Sequence, residues 1–93
     1  MYAIVLASHA QRSLRKYRKS GSFPKDKFKT ALLCLREGKS LPISYKDHAL
    51  KGELQSLREF HLGYDILVEY RRNELQQTVT IRRIGTHSEL FVD

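Results

Sequence analysis

Four histidines punctuate this chain, at positions 9, 48, 61 and 87, and the last stands four residues after Arg83 in the run RRIGTHSELF. Imidazole titrates near neutral pH and is the usual proton carrier under physiological conditions. Arginine carries a permanent charge on a planar fork that fits a phosphate. Taken singly, each histidine is more often structural than catalytic. Three of the four, however, fall at loop or strand-end positions, where functional groups concentrate: His48 in YKDHALKG, His61 in REFHL and His87 after RRIGT. His9 falls in the first turn of a basic helix and reads as exposed.

The elements that must position these residues are legible in outline. Residues 2–7, YAIVLA, predict a short strand. Ala10, Leu14 and Tyr17 then recur at helical spacing among arginines and lysines, with Ser8 as the expected N-cap and Gly21 as the stop. Pro24 suits the first turn of a second helix, whose stripe is Phe28, Ala31, Leu32 and Leu35, with Gly38 at its C-terminal cap. The linker SGSF is short enough to make the two helices an antiparallel pair. Residues 39–56 follow neither period and read as a loop crossing the molecule, ordered by Leu41, Leu50 and Leu54. Three strand-like runs follow, at 57–62, 65–72 and 77–85, with short turns around Gly63 and Asn73 that imply an antiparallel meander. The expectation is a single α+β domain over residues 1–93, with the helices on one face of the sheet.

In such a meander the end of one strand lies near the start of the next. His48, His61, Asp65, Arg83 and His87 are therefore expected to converge at one end of the sheet. One feature conflicts: strict alternation places Val79, Ile81 and Arg83 on the same face. Either the strand bulges near its end or the core lies on the Ile84 side.

The chemistry this set suits is RNA cleavage by internal transfer. One group takes the proton of a ribose 2′-OH, another protonates the departing 5′-oxygen, and a cation stabilises the charge on phosphorus. No metal or cofactor is required. The spacing 48, 61, 65, 87 matches no compact ligand motif, and an arginine beside the cluster would oppose a metal ion. Tyr45, Tyr64 and Phe91 offer rings for an unstacked base, although each is equally well explained as core packing.

Composition agrees with an anionic partner. Lysine and arginine number 17 against 10 acids, a formal charge of +7. The basic helix lacks the bulky apolar face that inserts into a membrane surface, and no stretch approaches the roughly 20 apolar residues of a span. The apolar run at the N-terminus is too short for a secretory signal. A cytoplasmic protein with no membrane partner is expected. The single cysteine, Cys34 in ALLCLRE, excludes an intramolecular disulfide and reads as a small buried hydrophobe.

The motifs YKDHALKG, REFHL, DILVEY and RRIGTHSELF, in that order and spacing, resemble the YafQ branch of the RelE/ParE toxin superfamily. The likeness covers residues 45–91; the first half agrees in architecture alone. It implies a RelE-like fold and a ribosome-dependent mRNA endonuclease, the toxin of a type II toxin–antitoxin pair. It implies that His48, His61, Asp65, Arg83 and His87 occupy the active-site positions, with Phe91 in support. His87 would be the general acid and Arg83 the phosphate clamp. The base would be His48 or Asp65, with His61 placing the 2′-OH or supporting either. Lys46, Lys51 and Arg58 join Phe91 as expected RNA-binding or supporting residues. The implied partners are mRNA in the ribosomal A site, a small antitoxin that wraps the toxin, and operator DNA bound only by the toxin–antitoxin complex. Three departures touch base preference more than catalysis. Tyr64 stands where the family carries proline, Ile66 where it carries tryptophan, and GELQS lacks an aromatic found soon after the glycine. Two competing readings remain: a non-catalytic binding toxin on the same fold, directed at another target such as gyrase, and a metal-binding structural protein.

Overall fold

The structure is a computed structural model that describes residues 1–51 and 57–91. Strand β1 (Ala3–Leu6) leads into helix α1 (Ser8–Ser20) and helix α2 (Lys25–Arg36). A 3₁₀ turn at Ile43–Tyr45 precedes the two-residue strand β2 (His48–Ala49). Strands β3 (Arg58–Leu62), β4 (Ile66–Asn73) and β5 (Thr78–Thr86) follow, and helix α3 (His87–Leu90) closes the described chain. The five strands form one sheet in the order β1-β5-β4-β3-β2. The meander β3-β4-β5 is antiparallel, as the short turns require, and β1 adds parallel to the outer edge of β5.

Local chemistry sets the element ends. The N-cap of α1 is Ala7 rather than Ser8. The Ala7 amide still pairs with the Ile81 carbonyl at 2.9 Å, so the sheet fixes the extended residue and the helix starts immediately after it. Pro24 likewise sits one residue ahead of α2, its carbonyl accepting the Phe28 amide at 3.1 Å. Helix α2 ends in a Schellman motif: the Gly38 amide bonds the Leu35 carbonyl and the Lys39 amide bonds the Cys34 carbonyl. Gly38 has φ +71°, a left-handed conformation that glycine adopts without penalty.

The helices cover one face of the sheet. Ala10 and Tyr17 from α1, and Phe28, Ala31 and Leu35 from α2, pack on Phe60, Leu62, Val68, Tyr70, Val79, Ile81 and Ile84. Phe23, in the link between the helices, stacks on Tyr17 with ring centroids 5.2 Å apart and meets Phe28 edge-on at 5.4 Å. Cys34 is partly buried against this core.

The segment expected to be a loop is more ordered than its sequence suggests. Tyr45 enters the core, its hydroxyl donating to the Lys27 carbonyl at 3.1 Å. Leu41 is also buried. His48 and Ala49 pair with Glu59 and Arg58 as a short edge strand. Leu54 lies outside the described residues.

The conflict in the last strand resolves as a bulge. Glu69 pairs with Arg83, but the next residue of β4, Tyr70, pairs with Ile81, leaving Arg82 without a partner across the ladder. The extra residue flips the alternation. Val79 and Ile81 face the helices before the bulge and Ile84 faces them after it, so Arg83 emerges on the opposite face.

Candidate active site

The face turned away from the helices carries an unbroken line of ionisable groups. Register aligns His48 with Glu59, Glu59 with Glu69, and Glu69 with Arg83 across four strands. The next line along the strands is His61, Leu67 and Gly85. Directly opposed side chains lie about 5 Å apart at Cβ, so each line is a contact series.

Arg83 is held from three sides. Its Nη2 donates to Glu69 Oε2 at 2.9 Å and its Nε lies 3.3 Å from Oε1. Its Nη1 donates to the Leu90 carbonyl at 3.1 Å, and the guanidinium stands 5.9 Å from the Phe91 ring centre. The bulged Arg82 donates to the same carboxylate at 2.7 Å. Glu69 is fully buried beneath both arginines, so one carboxylate serves two cations and fixes their heads in place.

His87 is the first residue of α3, and its ring lies 5.1 Å from that of Phe91. Helix α3 is a single turn, too short to persist on its own. A capping box closes its N-terminal end: Thr86 accepts the Glu89 amide at 3.2 Å, and Glu89 accepts the Thr86 amide at 2.8 Å. Glu89 also accepts from Lys16 at 2.7 Å and from the Tyr17 hydroxyl at 3.0 Å, tying α3 to α1. The Lys16 and Thr86 bonds hold the Glu89 carboxyl down at about 2. Burial, then the bond to Glu89, pushes the Tyr17 hydroxyl up to about 12.

His48 and His61 lie with ring centroids 6.1 Å apart. His48 Nδ1 is 2.7 Å from the Lys46 carbonyl, and its Nε2 is 3.4 Å from Glu59 Oε1. Partial burial lowers the His61 pKa from its ordinary value. Glu59 pulls it back up, while Lys46, His48 and His87 add to the lowering, so these charged groups are within electrostatic range of one another. A neutral imidazole at pH 7 has a lone pair free to accept a proton.

The remaining expected residues are placed as follows. Asp65 is exposed in the β3–β4 turn, beside the Ile66–Thr86 pair that leads to His87. It has no hydrogen bond or ion pair among the described residues. Lys46 is exposed at the end of the 3₁₀ turn, and Lys51 is exposed after β2. Arg58 does not join the cluster. It lies on the opposite face, where its Nε sits 3.2 Å from both Asp47 and the Tyr70 hydroxyl. Of the three candidate rings, Phe91 and Tyr64 are exposed, whereas Tyr45 is a core residue.

The cluster also holds two carboxylates that the histidine and arginine pattern does not point to, Glu59 and Glu69. Both carried a signal. In REFHL, Glu59 alternates with His61 and so shares its face, and in ILVEY an acid interrupts a fully apolar strand. A carboxylate in such a run is rarely buried without a partner.

A family model described as the bacterial toxin of the type II toxin–antitoxin system, YafQ, matches residues 2–92. The mRNA interferase toxin YafQ of Escherichia coli strain K12 is 35% identical over 51 residues, which are 55% of this chain and 53% of that protein. The chain spans less than two thirds of the length of the curated relatives it matches. A metal-bound toxin from Helicobacter pylori superposes with a TM-score of 0.89 at 34% identity, covering 98% of this chain and 100% of that one. The E. coli DinJ–YafQ complex contributes a chain with a TM-score of 0.84 at 24% identity, covering 98% and 99%, which is a likeness of fold. With the match running nearly end to end and the sheet carrying the motifs in family order, the chain belongs to the YafQ family of type II toxin–antitoxin toxins.

Proposed function

We propose that the protein is a ribosome-dependent mRNA endoribonuclease. The observation that carries this reading is Arg83. A buried carboxylate, a backbone carbonyl and an aromatic ring fix its guanidinium on an exposed face, within one short helix of His87. A cation held this rigidly stabilises charge that develops on phosphorus without reorganising during the reaction. The relative named as an mRNA interferase points the same way.

In the reaction the ribose 2′-oxygen attacks phosphorus as a base removes its proton, and the P–O5′ bond breaks. Protonated His87 gives its proton to the departing 5′-oxygen, and the products are a 2′,3′-cyclic phosphate and a 5′-OH. Arg83 pairs with the non-bridging phosphate oxygens. The base is His48 or Asp65, and His61 places the 2′-OH or supports either. His48 is the better placed by contact, its ring lying 6.1 Å from that of His61, whereas Asp65 is exposed in its turn. Phe91 supports Arg83 and His87 together. Lys46 and Lys51 contribute to the RNA-binding surface. The roles require no metal. The protein acts in the cytoplasm on mRNA in the A site. It is silenced by a cognate antitoxin, as the complex of the E. coli relative suggests, and it reaches operator DNA only within that complex.

The test is cleavage on translating ribosomes with RNA ends mapped, comparing wild type with His87→Ala. Cleavage in the vacant codon site, leaving a 2′,3′-cyclic phosphate and lost in the variant, is expected. Growth arrest without cleavage by either protein would instead indicate a binding toxin with another target.

A further inference from the structure

The geometry points to Tyr17 as a positioning residue for the reaction: through Glu89 it holds the turn that carries His87, and so aims the general acid at the departing 5′-oxygen. The inference rests on the nuclease reading above. Helix α3 is four residues long and begins at His87. A single turn does not keep its own orientation, so whatever fastens its side chains sets where His87 points. Three donors converge on the Glu89 carboxylate. Oε1 accepts the Thr86 amide at 2.8 Å and the Tyr17 hydroxyl at 3.0 Å, and Oε2 accepts Lys16 Nζ at 2.7 Å. The first comes from the start of the turn itself. The other two come from α1 and fix the turn against the body of the protein. Residues two apart on a helix project about 200° from one another. With Glu89 turned to α1, His87 is turned away from it and stands exposed.

The two donors of α1 differ in rigidity. Lys16 carries a flexible side chain that is 68% exposed, and such a pair contributes little. Tyr17 is buried, and its ring stacks on Phe23 at 5.2 Å. Helix α1 is itself fixed to the sheet: the Ala7 amide at its start bonds Ile81, and Gln11 Nε2 donates to the Leu6 carbonyl at 2.8 Å. The hydroxyl is thus a donor at a fixed place. Neither partner titrates near neutrality, with Glu89 held at about 2 and Tyr17 raised to about 12. The bond therefore persists while His87 gains and loses its proton. The far end of the turn is tied separately, the Leu90 carbonyl accepting from Arg83 at 3.1 Å. Loss of the Tyr17 bond lets the turn rotate about that tie, which misaims the acid and leaves the phosphate clamp on Glu69.

The experiment measures single-turnover cleavage on ribosomes for wild type, Tyr17→Phe, Glu89→Ala, the double variant and His87→Ala, each below its melting temperature. Two mRNAs are compared, one natural and one with sulfur in place of the bridging 5′-oxygen at the scissile bond. In the second the P–S bond breaks and the thiolate leaves without a proton. Tyr17→Phe removes one hydroxyl and should slow cleavage of the natural mRNA roughly tenfold, with ribosome affinity unchanged. On the sulfur mRNA both Tyr17→Phe and His87→Ala should cleave at close to the wild-type rate. Tyr17→Phe should cost nothing further in the Glu89→Ala background, because the two residues act as one unit.

A wild-type rate for Tyr17→Phe on the natural mRNA overturns the proposal. So does a defect that sulfur leaves in place while it relieves His87→Ala, or full additivity with Glu89→Ala. A second readout needs no RNA. In proton–nitrogen NMR spectra of the full chain, the His87 ring signals should shift or broaden in Tyr17→Phe while those of His48 and His61 hold; unchanged His87 signals overturn the positioning. If wild type never cleaves, or sulfur does not rescue His87→Ala, the reading of the reaction fails, and the NMR spectra alone decide whether Tyr17 positions His87.

Discussion

Replacing Glu69 by glutamine removes one charge and almost no volume, and it tests how Arg83 is held. In the native protein a fully buried carboxylate faces two guanidinium groups at 2.7 and 2.9 Å, and their side chains are 40% and 30% exposed. Breaking a wholly buried pair costs about 3–5 kcal/mol. Both arginines here keep contact with water, which screens the loss, so about 2 kcal/mol is the reasonable figure. The amide retains one acceptor oxygen for one arginine and turns its NH₂ toward the other, donor against donor. For a domain of this size that loss lowers the melting temperature by about 8–16 °C. Arg83 would then sample several positions instead of one. Single-turnover cleavage on ribosomes, well below the melting point, should fall at least tenfold in rate, within the roughly 10²–10³ expected when an electrostatic group is lost outright. Ribosome affinity should change little, because one phosphate contact among many contributes weakly to binding. A variant that melts with wild type would refute the claim that this carboxylate anchors the pair. A variant that is destabilised yet cleaves at the wild-type rate would refute the claim that Arg83 must be anchored to act.

Other perturbations address α3. A methyl group on Gly85 would meet Leu90 Cδ2 at 3.1 Å and Glu89 Oε1 at 3.2 Å. Gly85→Ala should therefore destabilise by about 1–2 kcal/mol by overpacking, and it should slow cleavage more than its stability loss explains, because the displaced turn carries His87; melting curves beside cleavage rates check this. The hydrogen bonds from Lys16 and Thr86 hold the Glu89 carboxyl at about 2 in the folded state, below its ordinary value of 4.5. Its contribution is thus present above about pH 4.5 and is lost as pH falls toward 2. At 39% side-chain exposure, screening leaves about 1 kcal/mol of that effect. Denaturant midpoints for Glu89→Gln should lie below wild type at pH 6 and converge with it near pH 2; parallel curves would show that the carboxylate's charge is not what matters.

The sequence already disclosed the parts of the fold governed by period and punctuation. The stripe Phe28, Ala31, Leu32, Leu35 and the caps at Gly21 and Gly38 mark the helices, and the three apolar runs mark the meander. What it hid depends on pairing between distant segments. Strand β1 reads as a strand, but nothing in YAIVLA says that it lies parallel to β5, more than seventy residues away. Strand β2 is two residues long, too short to show any period. Tyr45 is aromatic in an irregular segment, and only the fold decides between core and surface. The site was legible in its histidines and Arg83 because their types are distinctive. Its carboxylates were not, because acids are common and a buried one is recognised by what faces it. Arg58 shows the converse: its charge suggested an RNA contact, and alternation along β3 turns it to the other face, where Asp47 takes it.

The bulge at Arg82 is what joins these two levels. The helices require an apolar face along all of β5, and Val79 and Ile81 supply it. Continued alternation would next send Arg83 into that core, where an unpaired guanidinium is untenable. One extra residue exchanges the faces, letting Ile84 complete the core and delivering Arg83 to Glu69. It also leaves Arg82 positioned to share the same carboxylate. Deleting Arg82 would restore regular pairing, Tyr70 with Ile81 and Glu69 with Arg83, and would leave every side chain beyond it on its present face while removing the local kink of the bulge. Arg82→Ala keeps the bulge and removes only the charge. The two changes separate the kink of the backbone from the charge of the side chain: both keep Arg83 opposite Glu69 and should retain most of the cleavage, and loss of cleavage in the deletion alone would refute the view that the bulge serves only to set the faces.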